Sequence, residues 1–295
     1  MRAVVVNSFG GPDVVEVVET EVPEPGAREV RIKVSAASLN PVDAGVRAGV
    51  FGGAGKRIGL GWDVAGTVDA VGVAGSWSVG DEVVALDHGM VKPLGTHAEY
   101  VVVDTDAAAL APTTVDAVRA ATLPLNALTA SQALDRLELT PGDSLLVTGA
   151  AGAVGGYAVQ LAAHRGISVT GLAREADEAF VRSLGAGRFV GDVADRGFDA
   201  VLDAAVLGEP ALAGVRDGGR YIGVIPQAEP ASVRGVRTGA VEVSADGARL
   251  AELVRLVDEG VLTTRVAETF ALEDAAKAHA RLDGGGVRGR LVLVP

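Results

Sequence analysis

Short β-branched runs, alternating with polar residues, fill the first third of the chain. Residues 3–6, 14–19 and 30–36 are separated by Gly10-Gly11-Pro12 and Pro23-Glu24-Pro25-Gly26, and this punctuation predicts strands joined by turns. Residues 64–71, 82–86 and 98–103 repeat the pattern, so the region is expected to form a compact, partly open β-barrel. After Pro112 the period changes. Residues 115–123 and 129–137 have helical spacing, and Pro141-Gly142-Asp143 marks a turn. Strands over 144–148, 168–172, 188–190, 200–203 and 221–224 then alternate with helices over 154–164, 176–184 and 208–215. Such alternation predicts a doubly wound parallel sheet. A strand over 241–244 and a helix over 247–259 are expected to complete the sheet region. The tail, with strands over 264–270 and 290–294 around a helix over 272–282, reads as a return to the first domain. The expected domains are therefore 1–118, 119–260 and the returning segment 261–295.

The join between the strand over 144–148 and the next helix carries the clearest chemistry. An apolar strand empties into Gly149-Ala150-Ala151-Gly152-Ala153-Val154-Gly155, and the turn opens a helix whose free N–H groups can cradle a pyrophosphate. Gly152 lets the backbone approach the phosphates, Gly155 lets the helix pack on the strand, and Ala150 stands where the commonest fingerprint has its first glycine. Glycines alone would serve any tight strand-to-helix turn. Here the strand, the helix and a second strand follow in the order a dinucleotide site requires, so the backbone of Gly149, Ala151, Gly152, Ala153, Val154 and Gly155 is the expected cradle. The second strand ends in Ala173-Arg174, without the carboxylate that would hold a ribose 2′-OH. Arg174 offers a planar, permanently charged fork for a 2′-phosphate, so NADPH is expected over NADH. The alternative is a solvated Arg174 paired with Glu175 or Glu178.

Composition narrows the partners. The 295 residues are 48% hydrophobic, enough for two cores, and the net charge of −12 disfavours nucleic acid and anionic membranes. No apolar run reaches membrane-spanning length, and the N-terminal residues read as a strand, which points to a cytoplasmic protein. The absence of cysteine removes disulfides, thiolate nucleophiles and cysteine-ligated metals. His88, His97, His164 and His279 show no paired ligand spacing, so no metal site is expected.

Several ordered segments resemble the medium-chain dehydrogenase/reductase superfamily and, within it, the zinc-free quinone oxidoreductase branch. Asn40-Pro41-Val42-Asp43, Gly61-Trp62-Asp63-Val64-Ala65-Gly66-Thr67-Val68 and Gly95-Thr96-His97-Ala98-Glu99-Tyr100 carry the likeness. So do Leu123-Pro124-Leu125, running on to Thr129-Ala130, and the closing Gly286-Val287-Arg288-Gly289-Arg290-Leu291-Val292-Leu293. The resemblance implies a GroES-like partly open β-barrel domain joined to a doubly wound Rossmann nucleotide-binding domain. It also implies that Asn40 and Trp62 stand where zinc-dependent relatives place a Cys and a His. Residues 87–94 would replace the structural zinc lobe.

The reaction so implied is hydride transfer from NADPH to an electrophile such as a quinone or an α,β-unsaturated carbonyl. Without a Lewis acid, catalysis is mainly positioning, with hydrogen-bond donors for the charge left on oxygen. By resemblance Asn40 lies near the nicotinamide and offers its amide to cofactor or substrate, with turn-making before Pro41 as its plainer role. Thr129 and the backbone of Gly223, Val224 and Ile225 are placed at the carboxamide, with capping or packing its helix as the plainer role of Thr129 and a buried strand leading to Pro226 as that of the others, and Phe51 and Trp62 are placed beside the substrate. The tyrosine that several relatives carry after Asn-Pro-x-Asp is absent; His88, in the loop replacing the zinc lobe, is the nearest titratable candidate for proton donor, with a solvated loop histidine as its plainer role. His97 is expected to pack or hydrogen-bond in the barrel, and Asp43 and Asp63 to satisfy backbone donors in turns. A biosynthetic enoyl reductase for a polyketide-like intermediate and a non-catalytic NADPH-binding regulator are the alternatives. A homodimer acting on a small-molecule electrophile, with no nucleic-acid or membrane partner, is the expected assembly.

Overall fold

The computed structural model describes residues 1–74, 77–193 and 196–295, which divide into two units. The first holds Met1–Leu125, Ser244–Asp258 and Thr264–Pro295; the second holds Asn126–Val243 and Glu259–Thr263.

In the first unit the β-branched runs become β1 (Arg2–Val6), β2 (Val15–Glu19) and β3 (Glu29–Leu39). Pro41 starts α1 (Pro41–Arg47), where proline's fixed φ suits the first helical position. Then come β4 (Ile58–Gly59), β5 (Asp63–Val71), β6 (Glu82–Leu86), β7 (Tyr100–Asp104) and β8 (Ala108–Leu110). The helix expected over 115–123 is only the short α2 (Ala117–Ala120). The Asp116 carboxylate caps its start by accepting from Arg119 N–H at 2.8 Å, and Pro124 opens α3 (Pro124–Leu137), whose residues from Asn126 on belong to the second unit.

The second unit is a six-stranded parallel sheet in the order β11-β10-β9-β12-β13-β14. Its elements are β9 (Ser144–Thr148), α4 (Ala153–His164), β10 (Ser168–Leu172), α5 (Glu178–Ser183), β11 (Arg188–Val190), β12 (Phe198–Asp203), α6 (Glu209–Ala213), β13 (Val215–Gly223) and β14 (Arg237–Ala240). The strand expected over 241–244 is therefore misplaced: pairing with β13 runs over 237–240, and Val241 N–H closes it by donating to the Gly223 carbonyl at 2.9 Å. Thr238-Gly239-Ala240 has little β propensity, which hides the true strand.

The chain then returns to the first unit with α7 (Gly247–Asp258), β15 (Val266–Ala271), α8 (Ala275–Asp283) and β16 (Arg290–Val294). The sequence placed residues 247–259 with the nucleotide sheet; α7 instead packs on β8. A Cβ on Gly247 would lie 2.4 Å from the Ala108 carbonyl oxygen, so glycine permits the close approach. Strand β16 pairs with β3 and β15, which carries Arg290 beside the end of β3. Among the described residues, apolar clusters of this unit gather around Val4, Leu39, Ile58 and Leu293 and around Ile32, Val64, Val83 and Val101.

Candidate functional site

In the second unit the strands end in register. Thr148 pairs with Leu172 and Asp203, and Asp203 pairs with Gly223, so the carboxyl ends of four strands form one edge. Gly149 leaves β9 with φ +59°, a left-handed conformation that favours glycine, and Ala150 N–H donates to the Leu172 carbonyl at 3.0 Å. Ala150 fits the first-glycine place because Gly171 on β10 makes room: a Cβ on Gly171 would lie 3.1 Å from the Ala150 methyl. Gly152 is exposed and caps α4, and Ala153, Val154 and Gly155 are its first three residues. Their N–H groups have no acceptor within the helix. A Cβ on Gly155 would come within 2.2 Å of the Gly149 carbonyl oxygen, so this glycine lets the helix lie against the turn. Ala151 completes the turn.

Ala173 and Arg174 follow β10, and the Arg174 side chain is 67% exposed. Its Nε lies 3.3 Å from Asp177 Oδ2, so its partner is neither Glu175 nor Glu178. Exposure leaves the guanidinium able to turn to an incoming phosphate, with the Asp177 carboxylate as competitor. At the other end of the edge the Gly223 carbonyl is engaged by Val241 and the Ile225 carbonyl accepts from Ala228 N–H, while Ile225 is exposed and Val224 half-buried. The expected carboxamide contacts thus keep only part of that backbone. Thr129 is buried within α3, past its first turn, and does not cap it.

A group missed in the sequence braces this edge. Asp203 is buried and accepts from Thr148 Oγ1 at 2.5 Å, Tyr221 OH at 2.6 Å and Gly208 N–H at 2.8 Å. Burial, and then the Asp203 carboxylate, raise the Tyr221 pKa above its ordinary value, so this phenol stays protonated and donating. A lone aspartate ending an apolar strand was the available signal.

The first unit holds a buried polar cluster. Asn40 donates from Nδ2 to Asp63 Oδ2 at 2.7 Å, and Arg290 Nη1 donates to Asn40 Oδ1 at 3.1 Å. Asp63 Oδ1 accepts from Leu125 N–H at 2.6 Å, while Asp43 accepts from Asn40 N–H at 2.8 Å and Gly61 N–H at 2.9 Å. Asp43 keeps the expected turn role, whereas Asp63 lies in β5 and satisfies the distant Leu125 N–H at the start of α3 as well as the Asn40 side chain. Burial pushes Asp63 up to about 7, against the pull of Leu125 N–H, the Asn40 amide and Arg290.

Trp62 is buried beside this cluster in sequence. Lys92 Nζ sits 5.9 Å above its ring centroid and is held by the Asp87 carboxylate at 2.7 Å and carbonyl at 2.5 Å. Burial raises the Asp87 pKa, opposed by Lys92. His88 is exposed and meets Trp62 edge-on, with ring centroids 6.4 Å apart. Phe51 is 40% exposed and covers Gly45, where a Cβ would lie 2.8 Å from the ring. His97 lies elsewhere, buried, with Nε2 2.9 Å from the Ser38 carbonyl and its ring edge-on to His279. Arg290 and Lys92 are the functional candidates that sequence reasoning missed. A charge beginning the apolar run 290–294 was the only sign of the first.

Among the described residues no group of three or more His, Cys, Asp and Glu is placed to hold a metal ion. The places that would hold zinc do not fit it: Trp62 is no ligand, and the Asn40 carbonyl faces a guanidinium.

Residues 26–113 match the family model for the alcohol dehydrogenase GroES-like domain, and residues 174–293 match that for the zinc-binding dehydrogenase. The chain is 34% identical over 318 residues to the NADPH-dependent alkenal/one oxidoreductase of Arabidopsis thaliana, a chloroplastic protein, covering all of this chain and 80% of that one. Among solved structures, the quinone oxidoreductase from Coxiella burnetii superposes with a TM-score of 0.90 at 30% identity, over 100% of this chain and 99% of the other. A mycobacterial protein solved in complex with NADPH gives 0.84 at 27% identity over 100% of both chains. The chain belongs to the medium-chain dehydrogenase/reductase superfamily, in its zinc-free quinone oxidoreductase branch.

Proposed function

We propose that this protein is an NADPH-dependent, zinc-independent reductase acting on a quinone or an α,β-unsaturated carbonyl. The observation that carries the reading is the exposed turn at Gly152, with the first N–H groups of α4 unsatisfied and Arg174 at the end of the neighbouring strand. These residues fit a pyrophosphate and a 2′-phosphate. When bound, NADPH supplies the hydride. Gly152 and the N–H groups of Ala153, Val154 and Gly155 hold the phosphates, and Arg174 selects the phosphorylated ribose. Asn40 orients the reacting partners through its amide, and the His88 imidazole or solvent provides the proton that an enolate oxygen takes up. The names of the Arabidopsis and Coxiella relatives support the two acceptor classes.

The test is NADPH oxidation measured with one enone and one quinone, before and after exhaustive chelation. Turnover with either acceptor, unchanged by the chelator, is expected; inactivity with both would overturn the reading.

A homodimer belongs to the same proposal. β14 lies at the end of the sheet order with β13 as its neighbour, and Ile225 and Val233, before it in sequence, are exposed. Light scattering of the purified chain reads it directly. A cytoplasmic setting is proposed too, to be checked by fractionation, since the Arabidopsis relative is chloroplastic.

A further inference from the structure

Three segments far apart in the chain meet at one side-chain amide. Asn40 follows β3 and caps the start of α1, Asp63 begins β5, and Arg290 begins β16. A primary amide has two ends of nearly equal size, and without directional partners it can turn over and exchange its donor for its acceptor. At Asn40 both ends are specified. Asp63 Oδ2 lies 2.7 Å from Nδ2, and Arg290 Nη1 lies 3.1 Å from Oδ1. A guanidinium only donates, so the opposite orientation would set NH₂ against it in either protonation state of Asp63, and an ionised Asp63 would meet the amide carbonyl as well.

The carboxylate is itself held. Its Oδ1 accepts from Leu125 N–H at 2.6 Å, which fixes the plane in which Oδ2 meets the amide. Asp43 fixes the backbone of the same residue by accepting from Asn40 N–H at 2.8 Å. Asn40, Asp43 and Asp63 are buried, so the bonds among them act where solvent screens little, while the Arg290 contact is part-buried.

We propose that Asp63 and Arg290 are positioning residues, which lock the Asn40 amide in one orientation, with its NH₂ toward the carboxylate and its carbonyl toward the guanidinium. The part played by that amide in turnover rests on the reductase reading above. The locking itself does not.

The experiment is a double-mutant cycle on the full-length protein, read by kinetics and by the side-chain amide resonances of ¹⁵N-labelled protein. Asp63→Asn replaces an acceptor by a donor of the same shape. It is expected to lower kcat with an enone by about 10- to 100-fold. NADPH affinity should stay within about threefold, because the phosphate turn is built by other residues. On an Asn40→Ala background the same substitution should change kcat by less than about threefold, the mark of a residue acting through Asn40. Equal effects on both backgrounds would overturn the proposal. The Asn40 NH₂ pair, identified by its loss in Asn40→Ala, should move in Asp63→Asn and hold its place in Arg290→Lys, which keeps a donor. Resonances unmoved by Asp63→Asn would overturn it as well. Should Asp63→Asn fail to fold, Arg290→Met reads the coupling from the other end, in the same cycle and spectra. If the unmodified protein turns over neither acceptor, the reductase reading fails while the amide resonances still decide the locking.

Discussion

In the second unit the proposed chemistry rests on backbone, from Gly149 to Gly155, within a single turn; in the first it rests on side chains drawn from positions 40, 63 and 290. The two constructions fail in opposite ways. A backbone cradle works because atoms are missing, so it breaks when atoms are added. A side-chain cluster works because donors and acceptors are paired, so it breaks when one is deleted or reversed in polarity. The turn also contains nothing that titrates, whereas the first unit buries carboxylates, imidazoles and a guanidinium.

The largest effect expected from adding atoms is at Gly152. A Cβ there meets one atom, the Gly149 carbonyl oxygen at 3.0 Å, so the turn tolerates a side chain while the phosphate position is filled. Gly152→Val should weaken NADPH binding more than about 100-fold, equivalent to about 2.7 kcal/mol, with little change in Tm. Gly155→Ala should do the reverse of that split. Its Cβ would sit 2.2 Å from the same oxygen, so the fold itself must shift and Tm should fall. Calorimetry and thermal unfolding of both variants check the pair; equal losses of affinity and stability in each would erase the distinction between cradle and packing.

Deleting a side chain next to the backbone cradle tests whether the second unit also uses polarity. Arg174→Ala should remove a preference for NADPH over NADH of about 10- to 100-fold, the worth of one charge-assisted contact of about 1.5–3 kcal/mol. NADH affinity should change little. Asp177→Asn, which frees Arg174 from its ion pair at 3.3 Å, should raise NADPH affinity instead. Titrations of both cofactors decide it, and equal affinities in the unmodified protein would end the assignment.

Legibility in the sequence follows the same divide. The strand at 144–148, the glycine turn and the strand at 168–172 stand where the pattern placed them, because spacing encodes local backbone geometry. The identity of Asn40 was visible, but its partners were not: nothing local links position 40 to 63 or to 290, and only the pairing of β16 with β3 brings Arg290 there. The helix at 247–258 went to the wrong unit for a related reason, since its amphipathic stripe marks a buried face without naming what covers it. Residues 241–244 read as a strand by propensity, yet Gly239 and Ala240 make the ladder.

A smaller effect separates the units by pH. His279 is buried, and burial together with His97 and Arg47 pushes it down to about 3 from an ordinary 6.5. Between those values the unfolded chain holds a proton that the folded chain does not, so stability rises with pH across the window and is lost as pH falls through it. Asp63 slopes the other way: its pKa is about 7 folded and 3.8 unfolded, so its protonated form favours the fold below about 7. His279→Gln keeps an acceptor for Arg47 while removing the titration. Its stability should rise less steeply than that of the unmodified chain between pH 4 and 6, by about 1.4 kcal/mol per pH unit. Denaturant unfolding along that series measures it, and parallel curves would show that His279 does not titrate with folding.

The smallest effect is expected at His88, and it tests whether the side-chain chemistry of the first unit extends to its surface. Asn40, Asp63 and Trp62 are buried, but His88 is exposed and meets Trp62 only by its ring edge, at 6.4 Å. Water can reach the position that an exposed imidazole serves, so His88→Ala should lower enone turnover by less than about threefold. A quinone is a sharper control than wild-type activity alone. Both of its reduced oxygens can take protons from solvent, so its turnover should not change in the same variant. A loss of about tenfold or more confined to the enone, the scale at which a positioned acid outperforms water, would make His88 the proton donor and carry the paired-side-chain construction out to the solvent-facing loop.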